Sequence, residues 1–159
     1  EDRIYFLGDT LFGNRQDAVN MISKVKGNKY FINGNHDAAF NQMDNYFQWK
    51  GDIKQVTFQK DLFPFLKTDI EVCLCHYPLI SWPRKSYGSI LLYGHVHANS
   101  LFLDDTDDLM LNVGIDNPKS HFNLFTLESV YEIIQKKLKG LTPRQYIDKV
   151  TKENDKFVR

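Results

Sequence analysis

Four short polar motifs hold most of the side chains in this sequence that can do chemistry. They are Gly8-Asp9, Gly34-Asn35-His36-Asp37, His76-Tyr77-Pro78 and Gly94-His95-Val96-His97. Four of the five histidines fall within them. Their donors are carboxylate, amide oxygen and imidazole, which suit Mn, Fe, Zn or Ni better than soft metals. Asp9 has two oxygens and can bridge two ions. His95 and His97 are two apart, so in extended chain they point to the same side. The adjoining glycines allow the backbone to turn sharply where the ligands emerge.

Taken singly, each motif has an ordinary explanation. A Gly-Asp pair usually marks a turn, and so does Asn33-Gly34-Asn35. A single histidine at a strand end is usually a hydrogen-bonded structural residue. What distinguishes this sequence is that all four occur together, each directly after an apolar run.

Those runs are the elements that must position the motifs. Ile4 to Leu7 is continuously apolar, which suits a strand buried on both faces, and Glu1 to Asp9 is read as that strand. Asn14 can cap a helix running to Lys26, with Ala18, Met21, Ile22 and Val25 on one face. Gly27-Asn28 ends it, and Lys29 to Asn33 forms a second strand. The first forty residues therefore form a strand–helix–strand unit. Asn41 to Lys50 is aromatic-rich and has no clear period. Asp52 to Phe58, Phe63 to Asp69, Glu71 to Cys75, Ser89 to Tyr93, Leu109 to Val113 and Phe122 to Leu127 are read as further strands. Pro64 weakens the second of these. Val130, Ile133, Ile134 and Leu138 share a helix face that ends at Gly140, and Thr142-Pro143 starts a last helix. Sheet folds gather ligand groups at the carboxyl ends of strands, so the four motifs can meet at one point. Many strands with few helices indicate an α/β sandwich.

Composition excludes other classes. The chain has 159 residues, which suits a single domain spanning 1–159. Twenty basic residues balance twenty acidic ones. That balance gives no strong nucleic-acid signature and no attraction to anionic membranes. No apolar run approaches the ~20 residues of a membrane helix. No basic-then-apolar signal segment opens the chain, and a cytoplasmic location is expected. Cys73 and Cys75 share a strand face and read as buried core thiols in a reducing compartment.

The order G-D, G-N-H-D, H-Y-P, G-H-V-H resembles the calcineurin-like metallophosphoesterases, and in particular their compact bacterial or phage-type members. The resemblance runs from Gly8-Asp9 to about Asp116, where Asn112-Val113-Gly114 matches a further segment. It implies a four-layer αββα sandwich of two mixed sheets flanked by helices. It also implies a phosphoesterase acting on phosphomonoesters or phosphodiesters through two divalent ions, Mn first among Mn, Fe, Zn and Ni. By position, Asp9 is similar to the bridging carboxylate, Asn35, His76 and His95 to ligands of the second ion, and His97 to a ligand of the first. His36 resembles the acid that protonates the leaving oxygen, and Asp37 its orienting partner. Two such ions clamp a phosphoryl group and acidify a water for in-line attack.

The chain departs from that pattern at its start. The family opens with D-x-H on a first strand, supplying two ligands of the first ion, and no D-x-H precedes Gly8. Loss of an upstream strand, which would be central in one sheet, is the simplest expectation. Real loss of the first metal site is the alternative; His121, in a late loop after Pro118, could substitute as a ligand but reads rather as a surface or strand-edge residue.

Other residues bear on the substrate. Arg84 lies with Trp82, Lys85 and Tyr87 in a loop expected to flank the site, where it could grip a phosphate oxygen bidentately or simply be an exposed solubilising residue. The expected substrate is a small-molecule or nucleotide-type phosphate ester. Tyr46, Phe47 and Trp49 read as packing rather than as a base-stacking platform. Asp104, Asp105, Asp107 and Asp108 lack EF-hand spacing and read as a solvated hairpin turn. A second functional reading is a non-catalytic protein-interaction module on the same fold. The missing D-x-H favours it, and the His36-Asp37 pair opposes it.

Overall fold

The computed structural model describes residues 2–97 and 109–155, so the aspartates at 104, 105, 107 and 108 lie outside the described residues. Among these residues the chain is an α/β protein with two sheets and three α-helices. The strands are β1 (Arg3–Leu7), β2 (Asn28–Ile32), β3 (Trp49–Gly51), β4 (Ile53–Phe58), β5 (Ile70–Cys75), β6 (Ile90–Tyr93) and β7 (Met110–Asn112). The helices are α1 (Arg15–Lys24), α2 (Leu127–Lys137) and α3 (Pro143–Asp155). No described helix is long and apolar enough to cross a membrane.

The first sheet has the order β1-β2-β3 and is wholly parallel, with Tyr5 opposite Tyr30 and Tyr30 opposite Trp49. Two mixed sheets were expected, but only the second is mixed. Its order is β4-β5-β6-β7; β4 runs antiparallel to β5, and the remaining pairs are parallel. The first sheet is parallel because its strands are joined by residues 8–27 and 33–48, each long enough for a crossover. A single residue, Asp52, separates β3 from β4, so the chain passes from one sheet to the other without a crossover.

Side-chain alternation along β2 assigns each face of the first sheet to a different core. Phe31 joins Ala18 and Ile22 of α1 with Phe40 and Met43. Ile32 joins the larger cluster built on β5, β6, β7 and α2, where Leu91, Leu111 and Ile134 are fully buried. Along β1, Phe6 packs toward the first cluster, while Tyr5 and Leu7 pack toward the second. β1 is an edge strand, and Ile4 to Leu7 are partly rather than fully buried. An apolar run predicts burial from both faces, but here only one flank of the strand has a neighbour among the described residues.

The helix signals hold. The Asn14 side chain accepts from Asp17 N, and α1 stops at Lys24. Thr126 and Ser129 close a capping box on α2. Thr142 and Gln145 exchange hydrogen bonds at the start of α3. Two predicted strands are absent. Residues 59–69 are a chain of turns, with Leu62 N and Phe63 N donating to Gln59 O and Leu66 N to Phe63 O. The Asp69 carboxylate accepts from Lys60 N and closes that loop. Residues 122–126 are likewise not a strand, because Phe122 sits in left-handed backbone at φ 59°, which no strand tolerates. Asn41 to Lys50 resolves into a 3₁₀ turn at Asp44–Tyr46 and the start of β3. Phe47 packs on Phe31 at 4.8 Å, as expected of a packing residue. Cys73 and Cys75 are buried and free, also as expected.

Candidate metal centre

Four strands deliver the motifs from their carboxyl ends. β1 runs into Gly8-Asp9, β2 into Asn33 to Asp37, β5 into His76, and β6 into Gly94-His95. The two sheets are joined here by one side chain. His76 is 1% exposed, and its Nδ1 lies 2.8 Å from the carbonyl oxygen of Leu7. A carbonyl only accepts, so Nδ1 carries a proton and Nε2 is the ring nitrogen turned toward the other motifs. That Nε2 meets Asn35 Oδ1 at 3.1 Å, His95 Nδ1 at 3.2 Å and Asp9 Oδ2 at 3.4 Å. The ligand atoms of Asp9, His76 and His95 all lie within 4.8 Å of one another.

The arrangement is electrostatically one-sided. Asp9 Oδ2, Asn35 Oδ1 and the His76 and His95 rings converge on one small volume. Lone pairs gathered this way are satisfied by a cation. His95 is suited to the same task. Its pKa is lowered, first by desolvation and then by the neighbouring His76, which favours the neutral ligand form.

The loops are tied together independently of any ion. The Asp37 carboxylate accepts from Asp9 N at 2.9 Å, Thr10 N at 3.0 Å and Gly34 N at 2.6 Å. Asp9 Oδ1 accepts from His36 N at 2.8 Å, so one oxygen of Asp9 ties the loops and the other faces the cluster. Two glycines permit the approach. A Cβ on Gly8, at φ +79°, would strike the His76 ring, and one on Gly34 would strike Asp9. Asp9, His95 and His97 hold left-handed φ values of 47°, 68° and 50°. Such conformations cost energy in non-glycine residues and cluster at functional sites.

The remaining candidates are placed as follows. His36 is exposed, with its ring 5.1 Å from that of Phe12, which is itself 69% exposed. Asp37 is brought to the site, but its hydrogen bonds go to three backbone N–H groups and none to the His36 ring. His97 lies outside the converging triad, with its Nδ1 against Asp116 Oδ2. Arg84 is not brought to the site. Its Nε donates to Glu71 Oε2 at 2.5 Å. Glu71 stands near the start of β5 while His76 follows its end, about 16 Å away along a strand. A loop after β5 was expected to flank the ligands, but this one folds back along the sheet. His121, in left-handed backbone after the turn at Pro118–Ser120, is not in the triad. Sequence reasoning missed Asp116, whose only signal was its place two residues beyond Asn112-Val113-Gly114. It also missed Phe12, which carried none.

No family model, curated protein or solved structure matches this chain.

Proposed function

We propose that the chain is a metal-dependent phosphoesterase that hydrolyses phosphomonoesters or phosphodiesters. The observation that carries the reading is the convergence of Asp9 Oδ2 and Asn35 Oδ1 on the Nε2 of buried His76, beside His95. Asp9, Asn35, His76 and His95 would hold one divalent ion, and Asp9 with His97 would contribute to a second. The donor set is oxygen and imidazole, which fits Mn, Fe, Zn or Ni. Bound there, such ions supply positive charge for the phosphoryl oxygens and lower the pKa of water. His36 is exposed, its backbone N–H donates to Asp9 Oδ1, and its ring would give a proton to a leaving oxygen. Phosphate-ester chemistry needs both features.

The same reading orders the molecule in four layers: α1, the parallel sheet, the mixed sheet, and α2 with α3. The division of Phe31 and Ile32 between two cores supports that order.

The second reading, a non-catalytic interaction module, is favoured by Asp37, whose carboxylate is spent on the backbone rather than on His36. One experiment separates the two. Protein stripped with chelator and reloaded with Mn²⁺ is assayed on bis(4-nitrophenyl) phosphate and 4-nitrophenyl phosphate, beside His36→Ala and His76→Ala. Metal-dependent turnover lost in His76→Ala and largely kept in His36→Ala is expected, since 4-nitrophenolate leaves without a proton. Metal binding with no turnover on either ester overturns the enzyme reading in favour of the module.

A further inference from the structure

We propose that Asp116 is a positioning residue. It fixes His97 as the Nδ1–H tautomer and leaves Nε2 as the ring's metal donor. The second half of this rests on the phosphoesterase reading above.

The His97 side chain is 62% exposed, so packing does little to orient the ring. Among the described residues its one polar ring contact is Nδ1 against Asp116 Oδ2. A carboxylate accepts, so the shared proton sits on Nδ1 and the lone pair on Nε2, at the far side of the ring. Ligating histidines are commonly set in this way by a carboxylate on the other nitrogen.

The loop after β7 is built to hold Asp116 in place. Asn112 is fully buried, and its Nδ2 donates to His97 O at 3.1 Å. Its Oδ1 accepts from Gly114 N at 2.8 Å, and its own carbonyl accepts from Asn117 Nδ2 at 2.8 Å. Asn117 N in turn donates to Gly114 O at 3.0 Å. One loop thus grips His97 twice, by its backbone through Asn112 and by its ring through Asp116. Gly114 is part of the fit, since a Cβ there would come within 3.0 Å of Asp116 Oδ1 and 3.1 Å of Asn112 Oδ1.

The test reads the tautomer directly. Long-range proton–nitrogen correlation spectra are recorded on metal-free, histidine-labelled protein at about pH 8, where imidazole is neutral. His97→Asn assigns the His97 signals. Wild-type His97 is expected to show the Nδ1–H pattern. Asp116→Ala should shift it to the Nε2–H pattern that free imidazole favours, and Asp116→Asn, whose amide oxygen can still accept, should restore much of the wild-type pattern. Under Mn²⁺ titration, Asp116→Ala should weaken the ion held through His97 about 10- to 100-fold and leave the ion at Asp9, Asn35, His76 and His95 unchanged. A wild-type Nε2–H pattern, or a pattern indifferent to Asp116→Ala, overturns the proposal. If the tautomer responds as expected and neither protein binds metal, the phosphoesterase reading fails and the hold of Asp116 on the ring stands.

Discussion

His76 and Leu7 are 69 positions apart, yet the Nδ1 of one lies 2.8 Å from the carbonyl oxygen of the other. Leu7 ends β1 of the parallel sheet, and His76 follows β5 of the mixed sheet. This hydrogen bond fixes the imidazole tautomer and the distance between the two groups of strand ends. His76→Ala should therefore abolish binding at the triad and also leave a carbonyl unpaired. The expected stability loss is about 1–3 kcal/mol. Elemental analysis and thermal melts check both effects. Equal metal content in variant and wild type would remove His76 from the site.

Asp37 sits at the crossing of two ligand loops. Its carboxylate takes three backbone N–H groups in a nearly buried position. Asp37→Ala should orphan all three donors and cost on the order of 3 kcal/mol or more. Asp37→Asn should cost less, because one amide oxygen still accepts. Urea melts of the two variants give the order. If the two lose the same small amount, the loops are held by something else.

His36 is exposed and contributes its backbone, not its ring, to the Asp9 contact. Replacing it by Ala should leave metal content nearly intact and lower turnover about 10²–10⁴-fold for poor leaving groups. Activated aryl esters should suffer less, since their leaving group needs no proton. Rates over a series of leaving-group pKa values test this. A loss that is flat across the series would reassign the residue.

The pKa of His95 is lower folded than unfolded, first through desolvation and then through His76. The unfolded chain therefore binds more protons across the imidazole range, and stability rises with pH there. The contribution is complete above about 6.5, the unfolded value, and is lost as pH falls through the lower folded one. Metal-free protein should melt at progressively lower temperature over that window. His95→Asn, which tolerates left-handed backbone, should flatten the slope. Melts between about pH 5 and 8 decide, and an unchanged slope in the variant would refute the assignment.

Burial raises the Cys73 thiol to about 11, and Cys75 is raised in the same direction. Neither thiol should react with a chromogenic disulfide at neutral pH while the chain is folded. Both should react at once in denaturant. Rapid labelling of the native protein would place these residues elsewhere than in the sheet core.

Much of the scaffold is legible in the sequence because its signals are local. Apolar runs mark β1, β2, β5, β6 and β7, and the candidate ligand residues follow the first four of these. Asn14, Thr142 and Gly140 mark helix ends through their own side chains or backbone. What escapes depends on partners distant in sequence. The aromatic spacing of Phe63 and Phe65 imitates a strand, but the segment is bent by turns and tied by Asp69. β1 has strand composition suited to a sheet interior but stands at an edge. Asp37 reads as the neighbour of His36, whereas its hydrogen bonds reach back to Asp9 and Thr10. Arg84 reads as a residue of the site loop, and only the Glu71 contact reveals that the loop runs away from it. Asp116 is 19 positions from His97, and no spacing rule connects them.

The loops that carry Asp9 and Asn35 are bound to each other by the protein's own hydrogen bonds. If the cluster holds an ion as proposed, loading and stripping it is exchange rather than folding. Chelation should leave the circular dichroism of the chain in place, unlike that of small domains that unfold when zinc is removed. A finished socket also has little means of refusing an ion of similar radius and donor preference. Divalent ions would compete there on intrinsic affinity, rising from manganese toward copper. The metal recovered with the purified protein would then reflect the supply in the growth medium, and activity after defined reloading would be the better guide to the ion the protein uses.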